Sequence, residues 1–244
     1  MRLTRSHVDL PLTSGARITL PEDSAAHLVR VLRLREGDAC VLFNGDGHDY
    51  PARLVQAGKR EAVVELGDAA PADNESPLRI TLLQGIARGE KMDLILQKAT
   101  ELGVAAIMPV NGERTEVKLD AERAGKRLAH WREVTVSACE QCGRARLPGI
   151  APPQPLEQAV QALDRDMLRL ILDPEAVHRL ATLVAPASMR IAIAIGPEGG
   201  WSPRDLATLE GAGFTGLQLG PRVLRTETAG LAAIAALQAR FGDL

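Results

Sequence analysis

Aromatic residues are nearly missing from this chain: three Phe, two Trp and one Tyr stand among 244 residues. That scarcity excludes a platform that grips single strands by stacking bases on rows of Phe and Tyr. An excess of positive charge is missing too, since 29 Lys and Arg face 31 Asp and Glu for a formal net charge of −2. Bulk electrostatics therefore cannot hold a nucleic acid, and any such contact must come from local patches, shape and phosphates. Cysteine is rare and odd in number, Cys40, Cys139 and Cys142, which fits a reducing compartment better than a disulfide framework. Met1 to Leu12 alternates charged and apolar residues without the continuous apolar run of a signal peptide or membrane span. The expectation is a cytoplasmic protein with no membrane role.

Several chemistries lack their residues as well. Neither the Gly-x-x-x-x-Gly-Lys-Ser/Thr of a P-loop nor a Gly-x-Gly-x-x-Gly opening a helix occurs, which removes the main support for ATP- or NAD-dependent reactions. His-Glu-x-x-His and Gly-x-Ser-x-Gly are absent and the five histidines are scattered, so hydrolases are disfavoured. Cys139-Glu140-Gln141-Cys142 has no second pair and sits at a predicted helix end, so both thiols read as packing residues and no metal site is expected.

What is present, with 45% apolar content, suffices for two cores. Short β-type runs, Arg17–Leu20, Ala39–Phe43, Tyr50–Val55 and Ala62–Leu66, are separated by Glu36-Gly37-Asp38 and Asn44-Gly45-Asp46-Gly47, which close tight reversals. They predict a small, mostly β N-terminal domain. Within it Ala25, Leu28, Val29 and Leu32 recur at helical spacing, predicting a helix over Ser24–Leu34 with Ser24 as N-cap. That helix would present Arg30, Arg33 and Arg35. Residues 67–77 hold two prolines and no apolar period and read as a linker, dividing the chain into domains 1–72 and 73–244. Strands then alternate with helices: Arg79–Leu83, Ala105–Val110, Leu168–Leu172, Ile191–Ile195 and Gly216–Leu219 are strand candidates. Helices are expected from Met92 to Gly103, from Ala121 to Cys142 behind Asp120, from Ser202-Pro203 with Asp205 in the first turn, and from Thr226 to Phe241. The class is α/β with a mostly parallel sheet.

The apolar run Ile191 to Ile195 leaves the sheet into Gly196-Pro197-Glu198-Gly199-Gly200, and the next strand candidate ends in Leu219-Gly220 before the last helix. Ligands of open α/β sheets bind at the carboxyl ends of strands, where glycines let main-chain groups approach. Two such loops make a cleft lined by backbone, with Thr226 as helix cap and Arg225 as a cation.

Ile195-Gly-Pro-Glu-Gly-Gly200 followed by Leu219-Gly-Pro-Arg-Val-Leu-Arg-Thr-Glu-Thr-Ala229 resembles the signature of the SPOUT methyltransferases, specifically the family that makes N3-methyluridine in bacterial 16S ribosomal RNA. Gln97-Lys-Ala-Thr-Glu-Leu-Gly-Val104, Glu140-Gln-Cys-Gly-Arg144, His27-Leu28, Val31-Leu-Arg-Leu-Arg35, Gly37-Asp38 and Gly45-Asp-Gly47 extend the match over nearly the whole chain. It departs at Ser6-His7-Val8, where the family pattern leads one to expect an aromatic. The resemblance implies a PUA-like RNA-binding β-barrel before a SPOUT domain with a deep trefoil knot, S-adenosyl-L-methionine as cofactor, the small ribosomal subunit as partner, and a homodimer. It also implies a cofactor site made by Leu172, Ile195, Gly196, Pro197, Glu198, Gly199, Gly200, Leu219, Gly220, Val223, Leu224, Arg225, Thr226, Thr228 and Ala229.

Methyl transfer to a uracil ring nitrogen requires in-line placement and removal of the imide proton. Arginine stays protonated, so Arg144 and Arg225 are candidate donors to uracil oxygens or phosphate, and a carboxylate must take the proton. Glu140, where a helix gives way to Gly143-Arg144, is favoured over Glu227 and Glu101. RNA contacts are expected from Arg2, Arg5, Arg30, Arg33 and Arg35, with Arg123, Lys126, Arg127 and Arg132 as a second basic group. The rival readings are a ribose 2′-O-methyltransferase of the same fold and a non-catalytic ribosome-assembly factor.

Overall fold

The computed structural model describes residues 3–58, 61–173, 175, 176 and 178–244, so Arg2 lies outside the described residues. The chain packs as two units, Met1–Glu75 with Val136–Leu147, and Ser76–Thr135 with Pro148–Leu244.

In the first unit β1 (Arg5–His7), β2 (Arg17–Thr19), β3 (Ala39–Phe43), β4 (His48–Ala57), β5 (Ala62–Leu66) and β6 (Ala70–Pro71) form one mixed sheet. Its pairing path runs β1-β3-β4-β5-β2, with β6 on β4. Along β4 the buried Tyr50, Ala52 and Leu54 alternate with the exposed Pro51 and Arg53, the period-2 pattern of a strand with one face on a core. The helix expected over Ser24–Leu34 is cut short. α1 covers Glu22–Ala26 behind Pro21, which takes the N-cap place expected of Ser24, and a π turn follows over His27–Val31. The wider turn keeps Ala25 and Leu28 fully buried while Val31 and Leu32 face solvent. Arg33 then takes a left-handed backbone, φ 59°, and turns the chain back toward β3.

The second unit contains β7 (Arg79–Gly85), α2 (Glu90–Glu101), β8 (Ala106–Asn111), α3 (Ala121–Cys142), β9 (Gly149–Ile150), β10 (Gln154–Pro155), α4 (Leu156–Gln161), β11 (Leu168–Leu172), β12 (His178–Arg179), β13 (Arg190–Ile195), α5 (Pro203–Gly211), β14 (Thr215–Gln218) and α6 (Thr226–Phe241), although the last turns of α3 pack with the first unit. The strands pair in parallel in the order β10-β8-β7-β13-β11-β14-β12, with β9 also on β8. Both faces of this sheet are covered, as parallel sheets require. Ile191, Ile193 and Ile195 join Leu82, Met92, Ile95, Ile234 and Leu237 in one core, while Ala192 and Ala194 join Leu83, Val110, Leu156, Leu209 and Phe214 in the other. Two helix starts carry side-chain caps. The Asp120 carboxylate accepts the Arg123 N–H at 2.8 Å, and Ser202 and Asp205 form a reciprocal capping box. Among the described residues no helix is long and apolar enough to cross a membrane.

Residues 136–147 join the first unit through charge. Arg144 is 5% exposed, and its Nε and Nη2 donate to the two oxygens of Glu75 at 2.8 and 2.7 Å. Arg5, 9% exposed, pairs with Asp49, donates to the Arg144 carbonyl at 3.1 Å and lies 4.9 Å over the Phe43 ring. Glu140 accepts the His7 N–H at 2.9 Å, and Cys139 packs with Phe43 and Ala145. A bidentate pair with one buried partner is costly to break from one side, because the remaining charge stays desolvated. Glu75 is 30% exposed, which moderates the loss. Glu75→Gln should lower the unfolding free energy by about 2 kcal/mol, below the value for a fully buried pair. Urea denaturation of the purified protein measures it, and an unchanged midpoint contradicts the clamp.

Candidate active site

β13, β11 and β14 lie side by side and end at one carboxyl edge, with Leu172 opposite Leu217 and Ile171 opposite Ala194. The loops that leave them enclose a cavity of about 360 Å³. Of the residues expected at a cofactor, Leu172, Ile195, Gly196, Pro197, Glu198, Gly200, Leu219, Gly220, Val223, Leu224, Arg225, Thr226 and Ala229 line it. Gly199 and Thr228 fall outside its walls. The Gly199 carbonyl is turned to Arg114 Nη1 at 3.2 Å, and Thr228 is exposed with its N–H on the Arg225 carbonyl at 2.9 Å, inside the first turn of α6. Lys91, Asp173, Ala194, Trp201, Leu217, Arg222 and Glu227 complete the lining.

Thr226 does not cap its helix. Arg225 holds the N-cap place without a side-chain cap bond, and the Thr226 hydroxyl instead donates to the Gly196 carbonyl at 2.6 Å. The same oxygen accepts from Gln84 Nε2 at 2.9 Å. Gln84, on β7, is fully buried and also donates to the Gly85 carbonyl at 2.9 Å. One hydroxyl thus joins the loop after β13 to the start of α6, and a glutamine from a third strand fixes its direction. Next to it, Gly85 allows close approach of the Gly196-Pro197 backbone. A Cβ there would lie 2.6 Å from Pro197 Cδ and 2.8 Å from the Gly196 carbonyl carbon, which backbone cannot yield to. At Gly220, φ is +146°, a conformation that strains other residues. Downstream, the Asp205 carboxylate accepts the Ser202 N–H at 3.0 Å and the Glu113 N–H at 3.1 Å, anchoring the segment that leaves the cavity.

The charged groups differ in how they are held. Burial pushes the Glu198 carboxyl up, but the Arg88 N–H at 3.0 Å and Lys91 hold it below the usual carboxylate range. Lys91 Nζ lies 3.5 Å from Glu198 and 3.7 Å from Glu227. The sequence reading missed Lys91, because α2 was recognised by its apolar positions alone. It also missed Gln84 and Gly85, whose one signal was a polar residue and a glycine closing an apolar strand.

Other candidates stand in the first unit. Arg30, Arg33 and Arg35 are exposed beside Val31 and Leu32. Arg5 is not free for phosphate, since its guanidinium is buried and paired, and Glu140 and Arg144 belong to the same interlocked network. On α3, Arg123 pairs with Asp120 and Lys126 with Glu122, so part of that basic group is neutralised locally. Glu101 pairs with Lys98 at 2.8 Å.

A parallel sheet with a glycine-walled cavity at its carboxyl edge defines an α/β protein that binds a small ligand at the strand ends. An RNA methyltransferase domain model matches residues 74–238 and an RNA methyltransferase PUA domain model matches residues 20–67. The ribosomal RNA small subunit methyltransferase E of Buchnera aphidicola subsp. Schizaphis graminum is 30% identical, over 100% of this chain and 98% of its own length. That of Mycobacterium bovis is 32% identical, over 95% and 89%. The crystal structure of ribosomal RNA small subunit methyltransferase E from Neisseria gonorrhoeae bound to S-adenosyl methionine superposes with a TM-score of 0.93 at 40% identity, over 100% of both chains. The chain belongs to the ribosomal RNA small subunit methyltransferase E family of RNA methyltransferases.

Thr226→Val removes the hydroxyl while keeping the shape, leaving the Gly196 carbonyl and Gln84 Nε2 without their shared partner. A stranded buried group costs about 1–3 kcal/mol, and the cost falls toward the lower end here because the Gly196 carbonyl is part-buried and Gln84 Nε2 keeps the Gly85 carbonyl. Thermal and urea unfolding should show a loss in that range for Thr226→Val and a small one for Thr226→Ser. Equal effects of the two substitutions would mean that the methyl group, not the hydroxyl, matters.

Proposed function

We propose that this protein transfers the methyl group of S-adenosyl-L-methionine to N3 of a uridine in the 16S ribosomal RNA of the small subunit. The observation that carries this reading is the cavity itself, in which two glycine loops, joined by the Thr226 hydroxyl, expose main-chain groups at the carboxyl ends of β13 and β14. Its size and mixed wall suit a nucleoside with a charged tail. The Neisseria relative, alike over the whole chain, was crystallised with that cofactor. When bound, the cofactor supplies a methyl group activated by sulfonium charge. The chain's own task is to hold acceptor and methyl in line, a placement that accounts for much of such a rate enhancement. Arg225, on the cavity wall, is suited to donate to a uracil oxygen or a phosphate as charge shifts.

The first domain, 1–72 in this reading, serves RNA through Arg30, Arg33 and Arg35, which stand on an exposed turn with two apolar neighbours. Its six strands are taken to close as a PUA-like barrel. In the second, β13 inserts between β7 and β11 after β11 has been laid down, and β14 crosses to the outer side of β11. Together with the close approach at Gly85, that order supports threaded loops, a trefoil knot. The outer face of α6, with Ala232 and Ala236 beside a second cavity that also takes in Leu180 and Leu224, is assigned to a homodimer contact. The substrate places the protein in the cytoplasm.

Incubation of labelled cofactor with small subunits from cells lacking the protein, followed by digestion and mass spectrometry, should give one labelled N3-methyluridine. A label on a ribose 2′-oxygen, or none, overturns the proposal. Replacing Arg30, Arg33 and Arg35 together by Gln should raise KM for subunits about tenfold or more at low salt, and flatten the salt dependence by up to about three phosphate contacts. Cofactor affinity by calorimetry should stay unchanged, and a parallel loss would refute the division of labour.

A further inference from the structure

Three carboxylates reach the cavity wall, Asp173, Glu198 and Glu227, and methylation of a uracil ring nitrogen needs an acceptor for the imide proton. Their surroundings separate them. Asp173 Oδ1 accepts the Glu175 N–H at 2.8 Å. Glu198 Oε1 accepts the Arg88 N–H at 3.0 Å, with Lys91 Nζ at 3.5 Å. A carboxylate whose charge is already met by such donors is a weak base. Glu227 differs: its Oε2 is shielded from solvent and accepts no hydrogen bond from any described residue. The nearest paired cation, Lys91 Nζ, stands 3.7 Å away, beyond hydrogen-bond length. Glu227 is also rigidly placed, because it follows Thr226, whose hydroxyl is fixed at both ends.

Glu140, favoured by the sequence, already accepts the His7 N–H within the first unit. We infer that Glu227 is the group that takes the N3 proton, with Lys91 as the cation beside it and Glu198 holding Lys91 in place. The inference rests on the proposed ring-nitrogen acceptor. In the step, the proton passes from N3 to Glu227 Oε2 and the N3 electron pair forms the bond to the methyl carbon. The bond between that carbon and sulfur breaks with its pair going to sulfur. A sulfonium and a carboxylate become a neutral thioether and a carboxylic acid, so charge and atoms balance. The other charged groups around Glu227 are Glu198 after β13, Asp173 after β11, Lys91 on α2, and Arg222 and Arg225 before α6.

The test uses the full-length protein, small subunits from cells lacking it and labelled S-adenosylmethionine, under single-turnover conditions across a pH series. Glu227→Gln should slow transfer by about a hundredfold or more, the scale of a lost general base, while cofactor affinity by calorimetry changes little. Glu227→Asp, which keeps a carboxylate on a shorter arm, should recover part of the lost rate. A merely structural role would leave the Gln and Asp variants alike in rate. Near wild-type transfer by Glu227→Gln overturns the inference. So does a loss of cofactor affinity that matches the loss of rate, which would make Glu227 a cofactor ligand. Should Glu227→Gln fail to fold, near wild-type transfer by Glu227→Ala overturns the inference equally. Mapping the wild-type product separates the two claims. A methyl group found off N3 removes the underlying reading, whereas N3-methyluridine made at full rate by Glu227→Gln removes only the assignment of Glu227.

Discussion

The active site depends on one hydroxyl group shared by three segments that are remote in sequence. Thr226 Oγ1 donates to the Gly196 carbonyl and accepts from Gln84 Nε2. Each bond favours the orientation that the other requires. The pair sets the start of α6, and with it the positions of Arg225, Glu227 and Ala229 along the cavity. It also draws the Gly196-Pro197 backbone onto Gly85, where only a residue without a side chain fits. The two glycine loops are therefore built as one piece with the sheet. Binding sites pre-organised in this way lose less free energy to ordering when the ligand arrives.

Charge is divided along the chain in a way that composition hides. The net charge of −2 conceals an exposed arginine turn, Arg30 to Arg35, and two buried arginines, Arg5 and Arg144, whose charges are consumed in holding 136–147 to the first unit. The cavity gathers both signs. Lys91 stands between two carboxylates there, one satisfied by a backbone N–H and the other not. Basic residues alone would have served phosphate binding. A reaction that must remove a proton requires the acid-base asymmetry as well.

Much of this was legible in the sequence where local rules operate. The alternation Ile-Ala-Ile-Ala-Ile of β13 announced a strand buried on both faces, and Ser202 with Asp205 announced the capping box. The glycine loops announced the carboxyl-edge cavity. What escaped notice depends on tertiary contacts. Ser24 reads as a cap by type, but α1 starts behind Pro21 and burial of Leu28 favours the π turn that follows it. Thr226 likewise reads as a cap, yet a buried glutamine claims its hydroxyl. The sequence places Glu140 at a helix end open to any role, whereas the fold brings the His7 N–H to it. The end of α3 offers no compositional mark of its change of partner, because the helix continues unbroken through residue 142.

In the proposed reading the two loops act as a single cofactor site held by the Thr226 hydroxyl. Amide hydrogen exchange of the full-length protein with and without S-adenosylmethionine tests it directly. Protection should rise together at 196–201 and 219–226, with Arg30 to Arg35 unchanged, and in Thr226→Val both loops should exchange faster before the ligand is added. Protection at one loop alone, or confined to the first unit, would contradict the account.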